Sequence, residues 1–246
     1  MNKTNLHRFV RTAIAATALL GAQFASAADV ATGSVVKLGN GTGSLAGVFN
    51  GSVVSGPGAG GSFLSFCLEK YEFFGSHTQS LYVASVSTAT QNSLVSSIAG
   101  TPNTTTNSFG TSTSDPLSAQ TAYLFTQFYG NQAAYAGTES LANSMQRAVW
   151  FLEGELAGND LTQYNNDTKA VAWVSAANAA VTSGSWNGLG NVRVLNLYTD
   201  AGFTRHSQDQ LYMVSSVPEP ETYALMLAGL GLMASVVRRR SQGKSV

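Results

Sequence analysis

Between residues 30 and 87 the chain breaks into short apolar and β-branched runs, SVVKL, AGVFNGSVV, SFLSFCL and LYVASVS, parted by glycine-rich or polar stretches such as GNGTGS and SGPGAGG. Runs of this length bounded by turn residues predict antiparallel strands. The stretch GTPNTTTNSFGTSTSD, residues 100–115, has almost nothing to bury and predicts a mobile surface loop. The period then changes. Asp115 is placed to cap a helix with Pro116 at its first position, and PLSAQTAYLFTQFY runs from there to the stop at Gly130. A second helix is predicted from about Thr138, with Leu141, Met145, Val149, Leu152 and Leu156 on one stripe and Gln146, Trp150 and Glu153 on the neighbouring face. A third runs from Thr168 to about Val181, capped by Asp167 and burying Val171 and Val174 with Trp173 nearby. VRVLNLY from Val192 and DQLYMVS from Asp209 read as closing strands, and no internal repeat is evident. Strands, a helical middle and returning strands predict one α+β domain: an antiparallel β-sandwich or barrel with the helical segment on one side.

The two ends follow a different logic. Lys3, Arg8 and Arg11 precede an apolar run from Thr12 to Gly21 and the small-residue ending Ala25-Ser26-Ala27. That is the layout of a secretory signal peptide over residues 1–27, cleaved after Ala27. At the other end, the sixteen uncharged, mostly apolar residues Thr222 to Val237 predict a transmembrane helix, although its length of about 24 Å is marginal against a hydrocarbon core of about 30 Å. Arg238, Arg239, Arg240 and Lys244 behind it predict a stop-transfer signal, with 241–246 as a cytoplasmic tail. Pro218 and Pro220 on either side of Glu219 keep the junction extended. The folded body, 28–216, is then expected outside the inner membrane, tethered by its C-terminus.

Charge sharpens this picture. The formal net charge is zero, but residues 28–216 carry six basic side chains against eleven acidic ones. An acidic body has no basic face for a phosphate backbone, which argues against nucleic acid as a partner.

The segment VPEPETYALMLAGLGLMASVVRRR, residues 217–240, resembles the PEP-CTERM sorting signal of Gram-negative bacteria: a Pro-Glu-Pro triplet, a short apolar helix and an arginine cluster. The resemblance implies that Pro218, Glu219 and Pro220 are recognition residues for an exosortase, a membrane protease-transpeptidase. It also implies a temporary anchor and a destination at the cell surface or matrix, where passengers are commonly linked to exopolysaccharide and biofilm. It is an address rather than an activity.

The body contains one chemically distinctive residue. Cys67 is the only cysteine, so it forms no disulfide within the chain even in an oxidising compartment. Its setting in FLSFCLE permits a buried small hydrophobe, a mixed disulfide with another chain, or a third chemistry. If the strand end meets the second helix, the thiolate attacks the Gln146 carboxamide, ammonia leaves and an internal thioester remains. Phe66, Met145 and Trp150 would shield that activated acyl group from water. Phe66-Cys67 and MQRAVW, residues 145–150, resemble the aromatic-Cys and apolar-Gln-x-x-apolar-apolar signatures of bacterial surface thioester domains. By that resemblance Cys67 and Gln146 are the cross-linking pair and a surface nucleophile is the partner.

Other chemistries fare less well. His77 in GSHTQ and His206 in TRHSQDQ are candidate bases for a cysteine hydrolase, but both polar contexts predict solvated surface histidines. Glu153 and Glu155 point different ways and read as a solvated edge. No zinc spacing is present and GNGTGS lacks the lysine of a phosphate loop, so neither cofactor nor metal is expected, nor an enzyme. Two functions remain: an adhesion or matrix module acting through Cys67 and Gln146, or a non-covalent, polysaccharide-binding surface protein in which Tyr164, Trp186 and Tyr198 stack on sugar rings.

Overall fold

The computed structural model describes residues 29–43, 47–70, 72–73, 75–91, 103–107 and 110–215, with the single positions 226, 229, 230 and 233 beyond them. The chain divides into a unit ending at Val214 and a second beginning at Ser215. The expected signal peptide with its cleavage site at Ala25 and Ala27 lies outside the described residues, as do Pro218, Glu219, Pro220 and Arg238 to Arg240.

The strands are β1 (Val35–Thr42), β2 (Val48–Ser55), β3 (Ser62–Ser65), β4 (Leu81–Ser87), β5 (Asn103–Asn107), β6 (Gly110–Ser114), β7 (Val192–Tyr198) and β8 (His206–Met213). Six of them form one antiparallel sheet in the order β3-β2-β1-β4-β7-β8. In β2, Phe49, Gly51 and Val53 turn inward while Asn50, Ser52 and Val54 face out, the period-two alternation of a strand covered on one side. Gly51 sits opposite Phe63 of β3, whose ring lies where a Cβ at residue 51 would stand, so only glycine fits there. The alternation disappears in β7 and β8, where Leu195 to Tyr198 and Ser207 to Tyr212 are all buried.

Between β6 and β7 lie α1 (Ala119–Gly130), α2 (Gln132–Ala136), α3 (Glu139–Leu152), α4 (Gly158–Asn165) and α5 (Thr168–Thr182). Ser118, Thr138 and Asp167 cap α1, α3 and α5 by accepting from the N–H of Thr121, Leu141 and Ala170. On α1, Phe125 and Phe128 meet Phe66 edge-on at ring-centroid distances of 6.4 and 5.1 Å. The Tyr129 hydroxyl donates to the Leu64 carbonyl (2.9 Å) and accepts from its N–H (3.2 Å), fastening α1 to β3.

This architecture corrects the expected one. Among the described residues there is neither a sandwich nor a barrel: the six-stranded sheet is open, β5 and β6 form a separate two-stranded sheet, and α1 and α3 share one core with the six-stranded sheet. What joins the backbones at its two end strands is an isolated bridge between Cys67 and Gln210, with Leu68 N–H donating to the Asp209 carbonyl (3.1 Å) and Leu211 N–H to the Phe66 carbonyl (3.0 Å), beside the hydrogen bond from Ser65 Oγ to the Leu211 carbonyl (2.6 Å). No ladder continues from it, because Phe66 is drawn into the α1 aromatic cluster and the chain leaves the extended path after Leu68.

Residues 103–107 and 110–114 are not an unstructured loop but the antiparallel pair β5–β6, threonine-rich in sequence. Ser118 rather than Asp115 caps α1, and Val171 is exposed on α5 while Val174 is buried. Among the described residues no helix is long and apolar enough to cross a membrane, and sixteen residues fall short of the roughly twenty a span needs. The transmembrane helix expected over 222–237 is not found among the described residues, and most of that stretch lies outside them.

Asp167 ties two helices together. It caps α5, and its carboxylate also accepts from Ser144 Oγ (2.9 Å) and Arg147 Nη1 (2.9 Å) on α3. Burial alone would raise its pKa, but the Ala170 N–H, the Ser144 hydroxyl and the Arg147 guanidinium outweigh burial and hold it below the ordinary value. A depressed folded pKa contributes stability above the unfolded value near 4, and that contribution is lost as pH falls through the folded one. Asp167→Ala is therefore expected to cost about 1–2 kcal/mol at pH 7 and clearly less at pH 3, measured by urea melts. An equal deficit at both pH values would count against the ion pair.

Candidate functional site

The site forms where the chain leaves β3 and meets α3 and β8. Phe66 anchors it from the α1 side, and Cys67 follows with no solvent exposure. Gln146, in the second turn of α3, is equally buried, because the face it shares with Ala142 and Trp150 is covered as well as the neighbouring face of Met145 and Val149. The two meet through a pair of hydrogen bonds: Cys67 N–H donates to Gln146 Oε1 (3.1 Å), and Gln146 Nε2 donates to the Cys67 carbonyl (2.8 Å). The side-chain amide thus stands in for a neighbouring strand's peptide group, holding its carbonyl carbon beside Cys67 with Oε1 already facing a backbone donor.

Two further glutamines surround the sulfur. The Cys67 thiol donates to Gln208 Oε1 (2.8 Å), and Gln210 Nε2 donates to Cys67 Sγ (3.3 Å). Gln208 Nε2 in turn donates to the Glu69 carbonyl. Ser65 Oγ donates to the Leu211 carbonyl (2.6 Å) and stands 3.1 Å from Gln210 Oε1. Burial pushes the Cys67 thiol up to about 12; the Gln210 contact works the other way but is outweighed, and the nearby Glu69 charge adds to the rise. An unreacted Cys67 is therefore a neutral thiol at physiological pH.

The apolar surround is placed as follows. Phe66 and Met145 are fully buried and Trp150 nearly so. Lys70 Nζ lies 5.5 Å above the Trp150 ring and 2.9 Å from Asp160 Oδ2, while its backbone N–H donates to Glu155 Oε2 (3.1 Å). These contacts bind the segment after Cys67 to the end of α3 and to α4.

Several sequence expectations are corrected here. Glu153 and Glu155 are not a solvated edge: Glu153 accepts from Ser118 Oγ (2.7 Å), and desolvation pushes its carboxyl up to about 7 against the Thr121 and Ser118 hydrogen bonds. Tyr164 and Tyr198 are buried, Tyr164 stacked on Phe151 with centroids 3.9 Å apart, so neither presents a face to a sugar. Trp186 is half-buried against Tyr123. His77 is exposed, but His206 is not a surface histidine: its Nδ1 lies 2.8 Å from Glu72 Oε1 and its Nε2 3.3 Å from Asp209 Oδ1. Burial opposes the imidazolium, yet the Asp209 and Glu72 carboxylates outweigh it and push His206 up to about 9. Glu69 and Asp209 are raised, chiefly by desolvation. One donor atom from each of Glu69, Glu72 and His206 lies within 4.8 Å of the others. Gln208, Gln210 and this cluster escaped the sequence reading because HSQDQ has the composition of a loop, although every residue from Ser207 to Gln210 is buried.

Comparison with known proteins bears on the C-terminus alone. Residues 216–241 match the PEP-CTERM protein-sorting motif. That stretch includes Pro218, Glu219, Pro220 and Arg238 to Arg240, and its presence supports sorting to the cell surface as an exosortase substrate. No curated protein and no solved structure matches the chain.

The raised thiol gives a direct expectation. In Gln146→Ala, which leaves Cys67 without that partner, native protein at pH 8 should react with a thiol reagent at least about a hundredfold more slowly than the same protein in urea. Equal rates in both states would show that the cysteine is neither buried nor neutral.

Proposed function

We propose that the folded body carries an internal thioester between Cys67 and Gln146 and uses it once to capture a nucleophile at the cell surface, in adhesion or in an exopolysaccharide-containing biofilm matrix. The observation that carries this reading is the paired hydrogen bonding of the Gln146 amide to the Cys67 peptide group in a fully buried setting. In thioester formation the Sγ–Cδ bond forms as the Cδ–Nε2 bond breaks, and the thiol proton leaves with the nitrogen as ammonia. The Cys67 N–H supports the charge that gathers on Oε1 during attack, as an oxyanion-hole donor does. Capture reverses the logic: a primary amine attacks the acyl carbon, an amide forms to residue 146, and the Cys67 thiol is released. Each molecule reacts a single time, so the protein is a cross-linker rather than a turnover catalyst. Export and exosortase sorting bring this chemistry to where targets lie outside the cell.

The intact mass of surface-extracted protein tests the proposal. It is expected to be lower than the processed sequence by one ammonia, and to rise by one methylamine, attached at residue 146, after exposure to that amine. Cys67→Ala and Gln146→Ala are expected to show neither change. Full mass in the wild type removes the thioester and leaves a non-covalent surface protein. An adduct at Gln208 or Gln210 would assign the acyl group to the wrong glutamine.

A further inference from the structure

Glu69 and Glu72 stand in the irregular segment after β3, and His206 and Asp209 on β8, which the Cys67–Gln210 bridge brings alongside. Glu69 is 5% and Glu72 8% exposed. Each has one oxygen engaged and one without a partner: Glu69 Oε2 accepts from Asp209 N–H (3.1 Å) while Oε1 is left over, and Glu72 Oε1 contacts His206 Nδ1 (2.8 Å) while Oε2 is left over. Asp209 is already committed, accepting from the N–H groups of Leu197 (2.9 Å) and Gln91 (3.0 Å) and from Asn196 Nδ2 (2.7 Å). Three buried carboxyl groups thus converge on one imidazole. The nearest basic side chains in sequence turn elsewhere, Lys70 to Asp160 and Arg205 to Asp200. Orphaned carboxylate oxygens at such burial are costly, and a cation among them removes the cost.

We propose that Glu69, Glu72 and His206 hold one divalent metal ion, with Asp209 orienting the imidazole from its far side. The 2.8 Å spacing of Glu72 Oε1 and His206 Nδ1 suits adjacent ligands, which stand roughly 3 Å apart around a metal with bonds of about 2.1 Å. The metal takes the place of the proton between them, and Glu69 supplies the third ligand. Asp209 Oδ1 stands 3.3 Å from His206 Nε2, an atom otherwise without a hydrogen-bond partner, and with metal bound it takes the place of the outer carboxylate that fixes a ligating histidine's tautomer. Two carboxylates and one imidazole fit Zn²⁺ or Mn²⁺, whereas Ca²⁺ prefers an all-oxygen shell. Gln208 connects this site to the sulfur, accepting from the Cys67 thiol and donating to the Glu69 carbonyl. The metal therefore braces the segment that carries Cys67. The competing occupant is a single proton shared by Glu69 and Glu72.

Zn²⁺ added to chelator-treated, untagged full-length protein tests this, followed by titration calorimetry and thermal melting. One site per chain and a rise in melting temperature are expected. Glu72→Gln and His206→Asn should each weaken Zn²⁺ at least about tenfold. Cys67→Ala should leave the affinity unchanged, which separates this proposal from the thioester. X-ray absorption on the zinc-loaded wild type, independent of how well the variants fold, should show nitrogen and oxygen ligands with one imidazole. No binding of Zn²⁺ or Mn²⁺ by the wild type, sulfur in the shell, or affinity that survives in both ligand variants overturns the proposal in favour of the shared proton.

Discussion

The structure turns on a side-chain amide doing the work of a strand. Where β3 runs out, the peptide group of Cys67 still needs a donor and an acceptor in a place water does not reach, and Gln146 of α3 supplies both. Leaving such groups unpaired costs about 1–3 kcal/mol each, so the amide cannot swing away without loss. That requirement fixes the helix against the strand end and, with it, the position of everything the site contains. A glutamine used this way needs no reactivity to be retained structurally, yet the same placement holds its amide against the backbone of the one cysteine of the chain.

The surroundings make the pairing rigid. Phe66 packs edge-on against the stacked pair Phe125 and Phe128, and the Tyr129 hydroxyl binds both backbone polar groups of Leu64, so the residues leading to Cys67 are held to α1 by aromatic packing and by hydrogen bonds. On the far side, Lys70 is held by Trp150, Asp160 and Glu155. β8 closes the third side with an interior polar row, Gln208, Asp209 and Gln210, in which an apolar residue at 208 or 210 would take a side-chain partner from the Cys67 sulfur, and at 208 also from the Glu69 carbonyl. Polar networks of this kind are stable only when complete, which draws notice to the buried atoms left without a partner beside this one: Glu69 Oε1, Glu72 Oε2, His206 Nε2 and Ser207 Oγ.

Much of this was legible in the sequence, and what escaped did so for identifiable reasons. α3 and α5 announce themselves through their caps and their three- and four-residue spacing, so Thr138 and Asp167 mark their starts. Phe66-Cys67 and MQRAVW named the two residues that the fold brings together. Strand alternation, by contrast, says that one face is covered without saying by what, and helices in place of a second sheet leave the same pattern in β2. The interior of β8 was opaque because hydrophobic periodicity cannot register a core made of amides and acids. His206, among serine, glutamine and aspartate, looked solvated for the same reason. Burial of Tyr164 and Tyr198 depends on long-range packing that local sequence does not encode.

Seventy-nine residues separate Cys67 from Gln146. A covalent bond there would make a loop of that size inside a chain with no disulfide, and closing such a loop restrains the unfolded state by about 4.5 kcal/mol on a chain-entropy estimate. The internal bond would thus serve as the domain's own staple until a target takes its acyl end. Capture would then transfer a covalent restraint from within the protein to the junction with its partner, so that the attached molecule would be more easily unravelled than the one still waiting.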